Sequence, residues 1–283
     1  MPSMTTLTHA ALTGEWGADR LDLDDYLQRI AYTGALTADA DTLLGLHRAH
    51  AAAIPFENLD VVLGRSIELD LDNVQDKLVR RRRGGYCYEH NLLFAAVLER
   101  LGYPVSRLAA RGQPSRGGPR THMLLRAVAD GSPWLADVGF GASLLEPIAL
   151  RSNAVSQGGW RYRLGAAGSG AWLLEQDGPN GWAELYAFTL EPQRPSDYAV
   201  YNHYTATHPR SPFSGQAVAF RTEPNLRHAL RGRRLTTTRP DGVTMERELH
   251  VEELSDVLAE RFGIELDAEE QAGLRRASAQ AQR

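Results

Sequence analysis

The apolar residues change period once along this chain, at Gly102-Tyr103-Pro104, and that change limits what it can fold into. From Leu21 to Leu101 apolar positions recur at helical spacing, as in Leu43, Leu44 and Leu46 and again in Leu92, Leu93, Val97, Leu98 and Leu101. Gly102 and Pro104 stop the last of these helices, because glycine accepts the left-handed cap position and proline cannot continue the ladder. Between Val105 and Val200 the pattern turns to short β-prone runs (MLLRAV, WLADV, WRYRL, AWLLEQ) separated by Gly, Pro, Asp and Asn, which predicts a mainly antiparallel β unit. Residues 203–226 mix His, Pro, Ser and Phe irregularly and read as a connecting segment. The stretch RRLTTTRPDGVTMERELH alternates around Asp241-Gly242 and predicts a hairpin, followed by a helical VEELSDVLAERFG. The closing AGLRRASAQAQR is small and polar, so fraying is expected there. The expectation is an α+β fold: a helical unit over 1–103, an antiparallel β unit over 104–205, a connection over 206–228 and a small α/β unit over 229–283.

A chain of 283 residues, 43% hydrophobic and 23% charged, buries a sizeable core and is neither disordered nor fibrous. Its net charge of -4 provides no cationic excess to neutralise a phosphate backbone, so nucleic acid is not expected as a partner. MPSMTTLTHAALTGEWGADRLDLDDY has no basic start followed by an apolar run, and no apolar stretch approaches the roughly 20 residues a membrane helix needs. No membrane association and a cytoplasmic location are therefore expected. The single cysteine, Cys87, has no internal disulfide partner. It is a packing residue, one ligand of a mixed metal site, or a nucleophile.

Cys87 sits in RRRRGGYCYEHNLLFAAVLERLG, where Gly84-Gly85 forms a turn and everything after Tyr86 favours a helix. In the first helical turn, free backbone N–H groups and the positive end of the helix dipole favour a thiolate, with Arg83 adjacent. A metal site would draw on Cys87-x-x-His90 and His47-x-x-His50, but structural zinc sites usually use several cysteines, and no metal is expected. A nucleophilic thiol needs a base and a group to orient that base. His122 opens THMLLRAVADGSPWLADVGFG, which reads as strand, turn over 129–133 and returning strand with Asp137 on it. Pairing 122 with 137, or 124 with 137, centres on the turn and leaves both side chains on one face. His90 lies one turn beyond Cys87 but has no carboxylate partner in the sequence, so His122 is the expected base.

Five ordered blocks resemble the arylamine N-acetyltransferases: DYLQRIAYTG at 25–34, IPFENLDV at 54–61, RGGYCYE at 83–89, WLADVGFG at 134–141 and HYTATHPRSPF at 203–213. The resemblance implies a helical N-terminal domain, a β-barrel middle domain and a small α/β C-terminal lid domain. It also implies a ping-pong reaction. Acetyl-CoA, a co-substrate rather than a bound cofactor, acylates Cys87, and an arylamine, arylhydrazine or heterocyclic amine then takes the acetyl group, with His122 and Asp137 completing the triad. By the same resemblance Phe56 and Phe140 line the acceptor pocket, while Gly118, Thr121 and Phe213 contact CoA. Arg29, Glu57 and Arg83 would form a buried charge network behind the nucleophile turn, and Arg80 to Arg82 a solvated run. Two alternatives stay open: an amide synthase of the same family that closes an aromatic macrolactam, and a cysteine hydrolase or transglutaminase-like enzyme with the same order of Cys, His and Asp.

Overall fold

The computed structural model describes residues 14–141 and 144–280, so the sequence expectations for 1–13 and 281–283 fall outside the described residues. The N-terminal part is built on helices α1 (Leu23–Arg29), α2 (Ala40–Ala53) and α3 (Cys87–Arg100). Asp22 and Asp39 cap α1 and α2 by accepting the Asp25 and Thr42 amides. Helix α3 is the centre of the molecule: every residue from Cys87 to Leu98 is buried. It stops as expected. Gly102 takes φ 90, and the Tyr103 amide donates to the Leu98 carbonyl, closing the last turn.

Strands β2 (Val105–Gly112), β3 (His122–Ala129), β4 (Ser132–Ala136), β5 (Ile148–Ala149), β6 (Asn153–Gln157), β7 (Trp160–Ala166), β8 (Trp172–Gly178) and β9 (Gly181–Phe188) form one antiparallel sheet in the order β5-β4-β3-β2-β9-β8-β7-β6. The sheet curls into a nearly closed barrel. Gln157 at one edge clasps the other: its Oε1 accepts the Leu145 and Glu146 amides, and its Nε2 donates to the Glu146 carbonyl. Leu108, Leu124, Leu135, Trp160, Tyr162, Leu164, Leu174 and Tyr186 fill the interior. Each buried Leu of this kind is worth about 1.5–3 kcal/mol.

The second sheet has the order β1-β10-β11-β12-β13: β1 (Phe56–Glu57), β10 (Val218–Glu223), β11 (Leu226–Arg231), β12 (Arg234–Thr238) and β13 (Thr244–Glu248). Strand β1, two residues from the helical part, pairs with β10 through Phe56 opposite Phe220 and Glu57 opposite Ala219.

Two expectations need correction. The stretch read as a connection holds more structure than expected: helix α4 (Pro195–Thr207) ends inside it, and β10 and the start of β11 follow. Pro195 occupies the first turn of α4, and the Arg194 amide donates to Asp197 Oδ2, so the helix start is set locally. The stretch expected to fray forms most of α5 (Ala268–Gln280). Its polar composition hides one anchor, Leu274, which is buried in the third core with Leu230, Leu258 and Phe262. Among the described residues no helix is long and apolar enough to cross a membrane.

Candidate active site

The turn before Cys87 is shaped by two close approaches. A Cβ on Gly84 would sit 2.1 Å from the Pro55 carbonyl oxygen, and one on Gly85 2.6 Å from Glu89 Oε2, so no other residue fits either place. The Glu57 amide donates to the Gly85 carbonyl at 2.8 Å, tying β1 to the turn. Glu89 accepts the Tyr86 amide at 3.0 Å through one oxygen and Lys77 Nζ at 2.8 Å through the other, and Lys77 also reaches Asp60 at 2.8 Å. Helix α3 therefore starts at Cys87, a residue only 3% exposed.

His122, at the start of β3, follows Thr121, whose carbonyl accepts the Cys87 thiol at 3.7 Å, and the sulfur bears on the charge of the His122 ring. Its Nε2 donates to Asp137 Oδ2 at 2.7 Å, which leaves Nδ1 for Cys87. The hairpin explains the meeting. Asp130 (φ 49) and Gly131 (φ 69) make a two-residue turn, and Leu125 pairs with Ala136. Of the two registers weighed from sequence, this is the one that sets Leu124 level with Asp137 and His122 diagonal to it. Asp137 lies immediately beyond β4 rather than on a ladder pair.

Asp137 is fully buried, and its second oxygen accepts Asn91 Nδ2 at 3.1 Å and the Gly139 amide at 3.0 Å. Burial favours the neutral acid, but the His122 charge and these hydrogen bonds hold the carboxyl below its usual range. Burial likewise opposes the His122 charge, yet Asp137 and the Cys87 sulfur push the imidazolium pKa up to about 10. A cation, its counter-ion and a sulfur thus share one buried site. Gly139 is obligatory here: a Cβ would lie 2.9 Å from Cys87 Cα.

The remaining expected residues fall in two places. Phe140 packs 5.0 Å from the His122 ring and 4.9 Å from Tyr186. Phe56 packs against Phe213 at 5.5 Å and Phe220 at 5.6 Å, so two residues expected at different substrates touch each other. The Thr121 carbonyl accepts Tyr88 Oη at 2.9 Å and the Cys87 thiol at 3.7 Å. Gly118 stands in an open loop with free space where a Cβ would be. Arg83 pairs with Glu57 at 2.9 Å as expected, and also with Glu270 of α5 at 2.6 Å. Its guanidinium is therefore engaged by carboxylates instead of serving the sulfur. Arg29 departs from the expected network. Among the described residues it pairs with no carboxylate, and it donates to the carbonyls of Leu78, Ala53 and Arg82. Burial and the Arg82 charge lower its pKa to about 10.

His90 is not available as the base. Its Nε2 faces the Pro55 carbonyl at 3.1 Å and its Nδ1 faces His50 Nε2 at 3.0 Å, while His50 Nδ1 faces Tyr26 Oη at 2.9 Å. Only one assignment satisfies all four groups: Tyr26 donates to His50, His50 to His90 and His90 to Pro55. Among the described residues no three His, Cys, Asp or Glu side chains are grouped to hold a metal ion. Sequence reasoning missed Asn91 and Glu270, and weighed His47 only as a candidate metal ligand. Asn91 carried a signal, since it follows Cys87 by one helical turn. Glu270 carried none, being supplied from the far end of the chain.

Comparison with known proteins identifies the family. The N-acetyltransferase family model matches residues 39–271. The arylamine N-acetyltransferase of Escherichia coli (strain K12) is 38% identical over 258 residues, 87% of this chain and 89% of its own. The crystal structure of Nocardia farcinica arylamine N-acetyltransferase superposes with a TM-score of 0.87 at 44% identity, covering 92% of this chain and 95% of that one. That of Mycobacterium marinum arylamine N-acetyltransferase in complex with CoA gives 0.85 at 37% identity, over 92% and 99%. Agreement of this length, on a fold that superposes across both chains, means that this chain belongs to the arylamine N-acetyltransferase family.

Proposed function

We propose that this protein transfers an acetyl group from acetyl-CoA to an arylamine, arylhydrazine or heterocyclic amine in two half-reactions through an acetyl-Cys87 intermediate. The observation that carries the reading is the meeting of the Cys87 sulfur, His122 and buried Asp137 at the start of α3. In the first half the thiol proton rests on His122 Nδ1, and the sulfur attacks the acetyl carbonyl carbon. The bond from that carbon to the CoA sulfur breaks, and His122 returns the proton to the departing CoA thiolate. In the second half the amine attacks the acetyl-cysteine, His122 takes its proton, and Cys87 leaves as thiolate. Asp137 holds the imidazole in one orientation and balances its charge throughout.

Phe140, against the His122 ring, forms one wall of the acceptor site, and Phe56 with Phe213 forms a second apolar surface. The family resemblance supports Thr121 and Gly118 as contacts to CoA. Mass spectrometry tests the reading. Mixing with acetyl-CoA alone should leave the protein one acetyl group heavier, and adding a simple aniline should return the original mass. Cys87→Ala should stay folded, gain no acetyl group and lose turnover by roughly five to six orders of magnitude. A folded Cys87→Ala protein with undiminished turnover would refute it.

A further inference from the structure

Behind Asp137 stands a side chain that the proposed chemistry does not use. His47, on α2, is fully buried and packs edge-on against Phe94 at 5.7 Å. Its Nε2 accepts the Asp137 amide at 3.2 Å, and its Nδ1 faces the Leu145 carbonyl at 3.2 Å. These partners fix its chemical form. An amide N–H only donates, so Nε2 is bare; a carbonyl only accepts, so Nδ1 carries the proton. The titratable groups facing the ring are Asp137 and, on its own helix, His50. Burial outweighs the attraction of Asp137 and lowers the His47 pKa to about 4, which keeps the ring in that neutral form at ordinary pH.

The two partners are the ends of segment 137–145. That segment carries the carboxylate on His122, Gly139 against Cys87, and Phe140 against the His122 ring. One ring therefore holds both Asp137 and Leu145, and Leu145 packs with Phe140 against the barrel core. We propose that His47 is a positioning residue. The bond to Asp137 sets the carboxylate on His122, and the bond to Leu145 sets the Phe140 wall of the acceptor site through the packing of Leu145 and Phe140 against one core. The inference rests on the transferase reading above.

Three substitutions separate the two bonds. His47→Gln places an amide oxygen near the Nε2 position and keeps an acceptor for Asp137. His47→Asn places an amide N–H near the Nδ1 position and keeps a donor for Leu145. His47→Leu keeps neither. The readouts are the pH profile of Cys87 acetylation by acetyl-CoA in a single turnover, the KM for aniline, and the His122 titration by NMR, which needs no substrate. The Leu variant should acetylate roughly 10²-fold more slowly, as expected for a triad member displaced by about an ångström. Its His122 pKa should also fall. Gln should restore the acetylation rate and the His122 titration but keep a raised KM for aniline, and Asn should do the reverse. A purely structural role would lower the melting temperature in all three and leave rates, KM and titration superimposable, which overturns the proposal. Should the Leu variant not fold, identical behaviour of Gln and Asn overturns it equally. A native protein that gains no acetyl group, with a His122 titration that still follows the substitutions, would defeat the transferase reading while supporting the positioning role.

Discussion

His122 and His90 are both buried and both lie close to Cys87, yet burial has opposite outcomes for them. His90 shares its nitrogens with a carbonyl and a second neutral imidazole, and its pKa falls to about 4. His122 shares one nitrogen with a carboxylate and faces a sulfur with the other, and its pKa rises to about 10. Desolvation presses on both in the same direction, so the partner decides which ring carries charge. The lesson extends to His47 and His50, which are also buried among neutral partners and also pushed down. Three of these four imidazoles are uncharged hydrogen-bonding struts, and His122 is the one paired with a carboxylate.

Removing the carboxylate is the most severe way to break this contrast. Asp137→Asn keeps the shape but takes away the charge, and kcat/KM should fall by about three to four orders of magnitude in a folded protein. Steady-state assays and a His122 titration that moves toward the others would confirm it.

Stability against pH tests the contrast from both sides. For His47, His50 and His90 the folded pKa lies below the unfolded value near 6.5, so the unfolded chain binds the extra protons as pH falls. Each should remove up to about 1.4 kcal/mol of stability per pH unit below 6.5 until it protonates in the folded state. For His122 the folded pKa is raised, so its contribution is complete below 6.5 and is lost as pH rises through about 10. Urea unfolding across pH should show both limbs. His122→Gln should flatten the alkaline limb and leave the acid one.

A smaller effect is expected at the turn itself. Glu270→Gln removes one of the two carboxylate charges on Arg83 and one of the two on Arg65, and should cost about 1–3 kcal/mol in urea unfolding. The smallest effect on rate belongs to the strut. His90→Gln should cost about 1–2 kcal/mol of stability through its lost hydrogen bonds, with acetylation within a few-fold of native. A rate loss as large as that of Asp137→Asn would abolish the distinction between strut and acid–base group.

The meeting of Cys87, His122 and Asp137 was legible because it depends on local events. Gly84-Gly85 before a helical run puts Cys87 at a helix start, and the Asp130-Gly131 turn brings Asp137 back to His122. The end of α3 was legible for the same reason, since Gly102 caps it within the turn it closes. Contacts between distant segments were not. His47 was visible as a candidate metal ligand, but its partners lie about ninety residues away and are backbone atoms, which no side-chain pattern marks. Strand β1 is two residues long and too short for alternation to register. Helix α5 escaped because its composition is polar and its anchor a single leucine. The start of α4 did carry a readable signal, Pro195 followed by Asp197, that the irregular residues after it obscured.

The ion pair between Arg83 and Glu270 sets an order of events during synthesis. A ribosome delivers Cys87, His122 and Asp137 long before Glu270, and domains begin to fold as they emerge. A half-made chain can thus assemble its sulfur, base and acid while the guanidinium behind them still waits for its second carboxylate. The loop around the sulfur is finished only when the last helix docks, so a truncated product carries the reactive groups without the brace that holds them in register.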